Sequence, residues 1–420
     1  MTLAIACTTP LLTACGGGGG GGNSNPAQPQ PPSTTPGPVE PNVEARGDRL
    51  LEIQVNTTAD GDFVASFEEA LALGAQSQTF SVDWSAIDLG SDTQGDPVFE
   101  GGTGSELLTT ANSCYPNSNT QVSMMLRPIT TLVKSVPPGF ESVPFDDPRL
   151  IARFRQTLDH VFGLIPDLTL TSLAIGSEID LYLLDDARRQ QYATFYADAA
   201  NYAREAYASR YPQNAPLRVT TEVTHKALLD TALREYYLQL HAHSDTIGVS
   251  YYPLEDNQVL SPDRVGADFA DLVALYGSKP LVFFQLGYPS GYFDAAAYSE
   301  LARGEVSPTM GSSDALQAQF IDAVFQAWDT HADSIALISF TWLNDVTQDG
   351  VTETIANPAF GGGAPPTPGF VEFLRTLGLR TESGVPKLAF ERVTANAAER
   401  GWEASDATLS CVFTPAGTEN

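Results

Sequence analysis

The amino-acid sequence predicts an α/β fold, a single closed (β/α)8 barrel of the TIM type spanning residues 46–386, preceded by a disordered tether and followed by a short extension. Three observations predict it. Short β-rich runs alternate with amphipathic helical segments, the pattern of a parallel-stranded α/β protein. Eight such units follow one another, and no Gly-rich dinucleotide turn follows the first strand, which argues against a doubly wound open sheet. The stretch is also long enough for one barrel, which takes roughly 250 residues before insertions.

Taken in order, Leu50 to Val55 reads as the first strand, Phe67 to Leu73 as its helix, Ser77 to Trp84 as the second strand and Val122 to Arg127 as the third. Pro148 to Phe162 carries Leu150, Ile151, Phe154, Leu158, Val161 and Phe162 at helical spacing, an apolar stripe on one face. Leu168 to Glu178 is the fourth strand and Ala187 to Tyr211 a long aromatic-rich helix. Leu217 to Thr221, Thr246 to Tyr251, Pro280 to Gln285 and Ile335 to Trp342 complete the strands, with helices over Leu228 to Leu240, Pro262 to Tyr276 and Asp314 to Ala332 between them. Gly369 to Leu377 supplies a last helix, and residues 387–420 read as a C-terminal extension. Gly101-Gly102-Thr103-Gly104 falls in an irregular stretch and reads as loop, not as a phosphate cradle. No internal repeat is visible.

The first 45 residues read as export and anchoring. Residues 1–14 are uncharged and mostly apolar or small, and Leu12-Thr13-Ala14-Cys15 reads as a lipobox, in which Cys15 is acylated after cleavage of a signal peptide. No Lys or Arg precedes Cys15, so the reading expects the true start to lie upstream. Residues 15–45 hold an unbroken glycine run, Gly16 to Gly22, and then a Pro-, Gln-, Ser- and Thr-rich stretch. This composition makes a flexible coil followed by an extended spacer, as a tether requires. The expected location is therefore a bacterial membrane surface, in the periplasm or outside the cell, with the lipid as the only membrane contact. A net charge of −29 without any basic cluster excludes nucleic acid as a partner, because phosphate backbones would be repelled. With Cys7 in the signal and Cys15 lipidated, Cys114 and Cys411 remain, and in an oxidising compartment they are expected to form a disulfide. The domain is expected to be a monomer without a metal or other cofactor; His241 and His243 lack the company of a Cys or Asp cluster.

In a parallel barrel, function gathers where the strands end. Those ends carry Asp83 and Trp84, Arg127, Ser177, Glu178 and Asp180, Glu222 and His225, Tyr251 and Tyr252, Gln285 and Tyr288, and Trp342, Asn344 and Asp345. Carboxylates beside aromatic platforms suit sugar chemistry: aromatic faces stack on the apolar faces of sugars, and acids act on the glycosidic oxygen and anomeric carbon.

Four segments then resemble the large barrel clan of retaining glycoside hydrolases, in the right order along the chain. Residues 172–180, Ser-Leu-Ala-Ile-Gly-Ser-Glu-Ile-Asp, resemble its strand-four Ile-Gly-Asn-Glu segment. Residues 279–290 resemble its strand-seven segment, in which a Glu precedes Ile-Gly-Tyr-Pro-Ser. Residues 247–253 and 340–342 resemble its strand-six Tyr and strand-eight Trp segments, and galactanase- and mannanase-like members are nearest in flavour. The resemblance implies that Glu178 is the general acid/base, that position 285 is the nucleophile's, and that Ser177, Tyr251, Tyr252, Tyr288 and Trp342 contact a β-linked oligo- or polysaccharide, to which the strand-end reading adds Trp84, Arg127 and Asp345. The chain departs from the clan at two of these positions. Ser177 stands where Asn is expected, and Gln285 where the nucleophilic Glu is expected. A neutral amide cannot displace a glycosidic leaving group as a carboxylate does. Three readings follow: a glycan binder with little or no hydrolysis, a hydrolase in which Asp345, Glu222 or Asp83 supplies the second carboxylate, and a scaffold that keeps only the fold.

Overall fold

The computed structural model describes residues 43–291, 306–357, 367–405 and 407–409. Within them the parallel strands β1 (Leu50–Ile53), β2 (Ser77–Asp83), β3 (Gln121–Thr130) and β4 (Leu170–Ser177) pair in succession. Next comes β5, in two pieces (Arg218–Thr220 and Glu222–Thr224), then β6 (Ile247–Tyr251), β7 (Leu281–Leu286) and β8 (Ile335–Phe340). β8 pairs back on β1, with Leu337 opposite Leu50 and Phe340 opposite Ile53, so the sheet is closed except at the break in β5. The expected barrel is the observed one.

The interruption in β5 has a local cause. The first piece pairs with β4 and the second with β6, and Thr221 alone lies between them. Thr220 donates its hydroxyl to the Thr246 carbonyl, 2.7 Å away, and accepts the Gly248 N–H at 3.1 Å, filling ladder positions that the break vacates. Gly248 is needed there: a β-carbon would stand 2.6 Å from the Thr221 carbonyl oxygen. Inside the barrel, Met125, Ala174, Val282, Phe284 and Leu337 form a small apolar cluster. Beside it Glu52, fully buried, accepts from the Thr79 N–H and hydroxyl and from Ser339.

The helices form the outer layer. The apolar stripe of Pro148–Leu164 is buried as expected, apart from half-buried Ile151, and the helix starts on an Asp147 cap with proline at its first position. The long helix Asp186–Arg210 buries Tyr192, Phe195, Tyr196 and Tyr207. The expected helix over Leu228 to Leu240 is two, His225–Leu229 and Arg234–His241. The Gly101–Gly104 stretch is not simply loop, because the helix Thr103–Cys114 begins inside it. Gly104 lies so close to Ile87 and Val82 that a β-carbon would come within 2.8 Å of both. Cys114 ends that helix, buried; Cys411 lies outside the described residues, as do the lipobox and the tether up to residue 42.

The boundary drawn at Lys387 does not coincide with a break in the fold. Leu388–Arg400 is a helix packed along Asp314–Thr330, joined to it by Asn396 and Arg392 on Asp322 and by Arg400 on Asp329. Just beyond, Trp402 stacks on Trp328 at 4.8 Å, and Arg49, next to β1, lies over both rings and pairs with Asp329. Among the described residues no helix is long and apolar enough to cross a membrane.

Candidate active site

β4 leaves the barrel through Gly176, Ser177 and Glu178. Gly176 has φ +88°, and its missing side chain makes room for Ile179 and the Tyr192 hydroxyl. Glu178 itself adopts the left-handed conformation, φ +46°, uncommon for a residue with a side chain. It is buried; Ser250 of β6 donates to its Oε1 at 3.0 Å, while Oε2 has no hydrogen-bond partner among the described residues. Two residues on, half-buried Asp180 accepts the N–H and hydroxyl of Thr224, tying the exit of β4 to that of β5; desolvation pushes its carboxyl up to about 6.

Ser177 donates to Glu222 Oε2 at 2.7 Å, and the Gln285 amide donates to the same oxygen at 3.0 Å. Gln285 sits where the β6–β7 register shifts, opposite Ser250. Its carbonyl accepts from the Tyr252 hydroxyl at 3.2 Å, which also lies 3.2 Å from Thr341 Oγ1 at the end of β8. A connected set of side chains therefore runs across β4, β5, β6, β7 and β8. Burial, and then the charge of Glu178, pushes the Glu222 carboxyl up to about 8, while Glu222 Oε1 has no partner among the described residues. The same two causes push the Tyr252 phenol well above its ordinary range. Thr341 and Trp342 are joined by a cis peptide bond; Trp342 is half-buried and packs with Tyr252 in the cluster around Phe373.

The structure thus brings together Glu178, Ser177, Gln285 and Tyr252, with Trp342 beside them. Other residues chosen from the sequence are engaged elsewhere. Trp84 is wholly buried, donating to Thr157 at 2.8 Å with its ring edge-on to Phe154. Tyr251 points outward from the barrel, its hydroxyl on Asp268 and its ring against His225. Tyr288 donates to the Leu260 carbonyl and stacks on Phe320. Arg127 pairs with Asp83 at 2.7 Å, and Thr130 binds the same carboxylate; the group is part-exposed at the ends of β2 and β3. Asp345 is buried against Lys387, 2.6 Å away, and accepts the Gly378 N–H, so its carboxylate is held inside the fold. Of the three alternative carboxylates, Glu222 is the one hydrogen-bonded to Gln285. Sequence reasoning missed Ser250 and Thr341; each lies at the end of a strand, beside residues the motifs did single out, where strand alternation could have found it. Among the described residues no cluster of metal-ligating side chains is present.

No protein-family model matches this chain, and no curated protein matches it. Solved structures do. The exo-β-1,4-mannosidase Op5Man5 from Opitutaceae bacterium strain TAV5 is similar with a TM-score of 0.58 and 13% identity, over 83% of this chain and 59% of the mannosidase, so the chain spans little more than half of that protein. A GH5_18 protein from Streptomyces cattleya, solved in complex with Manβ1-4GlcNAc, gives 0.56 at 13% identity over 84% of this chain and 81% of its own. A GH5_18 protein from Bifidobacterium longum subsp. infantis gives 0.54 at 11% identity, over 85% and 80%. What is shared at these identities is the (β/α)8 barrel.

Proposed function

We propose that this protein binds β-linked oligo- or polysaccharide at the C-terminal end of its barrel, in a glycosidase-type site that retains an acid/base carboxylate, Glu178, and carries Gln285 at the nucleophile position. The observation that supports the reading most is the hydrogen-bonded set from Ser177 through Gln285 to Tyr252, next to Glu178. Such a set offers donors and acceptors to sugar hydroxyls, half-buried Trp342 offers an aromatic face, and the buried oxygens Glu178 Oε2 and Glu222 Oε1 lack partners among the described residues. Without a carboxylate at 285 no covalent glycosyl intermediate forms there, so hydrolysis is slow or absent. The test is a glycan array with the purified chain, followed by calorimetry on the strongest ligands and assay of activated aryl β-glycosides. Binding with little turnover, abolished by Glu178→Ala, is the expected result. Rapid turnover that vanishes on Glu222→Gln would instead make Glu222 the second carboxylate, a reading favoured by its hydrogen bond to Gln285. Neither binding nor turnover would leave the scaffold reading.

The same proposal puts the domain at a membrane surface, held by a lipid on Cys15 and the glycine-rich tether. The motif Leu12-Thr13-Ala14-Cys15 supports it. Cys15→Ser is expected to release the protein from the membrane fraction. A variant that still partitions with membranes through detergent extraction would sink the anchor. We also propose the Cys114–Cys411 bridge, which the disulfide-bonded state of Cys114 supports.

A further inference from the structure

Glu222 stands outside both positions that a glycosidase-type site assigns to carboxylates, yet hydrogen bonds of that site converge on it. It is fully buried at the start of the second piece of β5, and its Oε2 accepts from Ser177 and from Gln285. A carboxamide has two unlike ends, and its partners decide which way it points. Here an accepting carboxyl oxygen faces the NH2 group and the donating Tyr252 phenol faces the carbonyl, so each end has a matching partner. A Glu at 285 would bring two carboxyl groups to hydrogen-bond distance, and one of them would have to hold a proton.

We propose that Glu222 is a positioning residue which fixes the orientation of the Gln285 amide, and that the two side chains form an exchangeable carboxyl–amide pair. With Glu222→Gln and Gln285→Glu made together, the amide donor comes from β5 and the carboxylate stands on β7. The pair itself rests on geometry alone; what the exchange does for catalysis rests on the glycan-site reading above. Among the described residues the titratable groups facing Glu222 are Glu178, just after β4, and Tyr252, just after β6. Because Oε2 already accepts two hydrogen bonds, a proton that burial and the charge of Glu178 keep on Glu222 belongs on Oε1.

The test compares the wild-type chain with Gln285→Glu, Glu222→Gln and the exchange. In wild-type protein labelled with 15N-glutamine, the side-chain amide signal that disappears in Gln285→Glu belongs to Gln285. It is expected to shift with a midpoint near pH 8 and to stop shifting in Glu222→Gln. The exchange is expected to melt above either single variant and to hydrolyse 4-nitrophenyl β-D-mannopyranoside about ten-fold or more faster than Gln285→Glu. A Gln285 signal indifferent to both pH and Glu222→Gln overturns the proposal, as does an exchange whose melting loss is the sum of the two single losses. An exchange that melts like the wild type, while none of the four proteins binds an oligosaccharide or turns over an aryl glycoside, supports the pair and refutes the glycan reading.

Discussion

Ser177 and Gln285 look like two losses when set against a retaining glycosidase, and Glu222 changes their meaning. The Ser177 hydroxyl and the Gln285 amide both point at Glu222 Oε2, so the two departures are complementary to a third residue. Its protonation has a thermodynamic consequence. The Glu222 carboxyl is raised from 4.5 to about 8, so the folded chain binds a proton that the unfolded chain releases. The stability linked to that proton is fully present below about pH 4.5, declines as pH rises, and is lost above about pH 8. Gln at 222 is neutral throughout, so the melting temperature of Glu222→Gln is expected to gain on the wild type as pH rises from 5 to 8. Parallel curves in paired melting experiments would show that another group holds the proton. Tyr252→Phe removes the donor to the Gln285 carbonyl and is expected to weaken oligosaccharide binding by about 1–2 kcal/mol, read by calorimetry. The motifs made Glu178 and Gln285 legible from sequence, but no spacing tells which strand-end carboxylates turn inward. Tyr251 and Tyr252 illustrate the limit: they are adjacent, strand alternation sends them to opposite faces, and only Tyr252 joins the site.

At the scale of elements, the strands were readable because buried parallel strands are short, nearly continuous apolar runs. The break in β5 was not, since it depends on the register of both neighbouring strands. Gly248→Ala tests it. The new methyl would meet the Thr221 carbonyl, and overpacking of this kind costs about 1–3 kcal/mol. Gly266→Ala is the control: it lies in the helix Val265–Tyr276 with open space around it, and replacing a helical glycine stabilises by about 0.4–1 kcal/mol. Equal melting temperatures for the two variants would mean that the barrel relaxes around position 248. The helices Thr103–Cys114, Gln348–Ala356 and Leu388–Arg400 were not read from the sequence, and in two of them small side chains fill much of the buried face. Thr103–Cys114 buries Gly104, Leu108, Ala111 and Cys114, and Leu388–Arg400 buries Ala389, Val393 and Ala397. Small side chains let a helix approach its neighbours closely.

At the scale of the molecule, the segment after Lys387 belongs to the barrel. A chain ending at Pro386 loses Lys387 from Asp345, Arg400 from Asp329 and Trp402 from Trp328. Removing one partner of a buried ion pair already costs about 3–5 kcal/mol, so that truncation is expected to leave no cooperative melting transition. A cooperative transition near the full chain's temperature would restore the extension as a separate tail. The Cys114–Cys411 bridge is expected to add about 2–4 kcal/mol, seen as a lower melting temperature after reduction; two thiols alkylated in the denatured, unreduced protein would rule it out. The pairing of β1 with β8 also sets a timetable for synthesis. At roughly 5–20 residues per second, tens of seconds separate the emergence of Leu50 from that of Leu337, its neighbour in the sheet, and Trp402 follows later still. Throughout that interval the first strand is an open edge, able to pair with any other strand it meets. A chain still being made therefore carries that edge uncovered until the strand that closes the barrel has followed it.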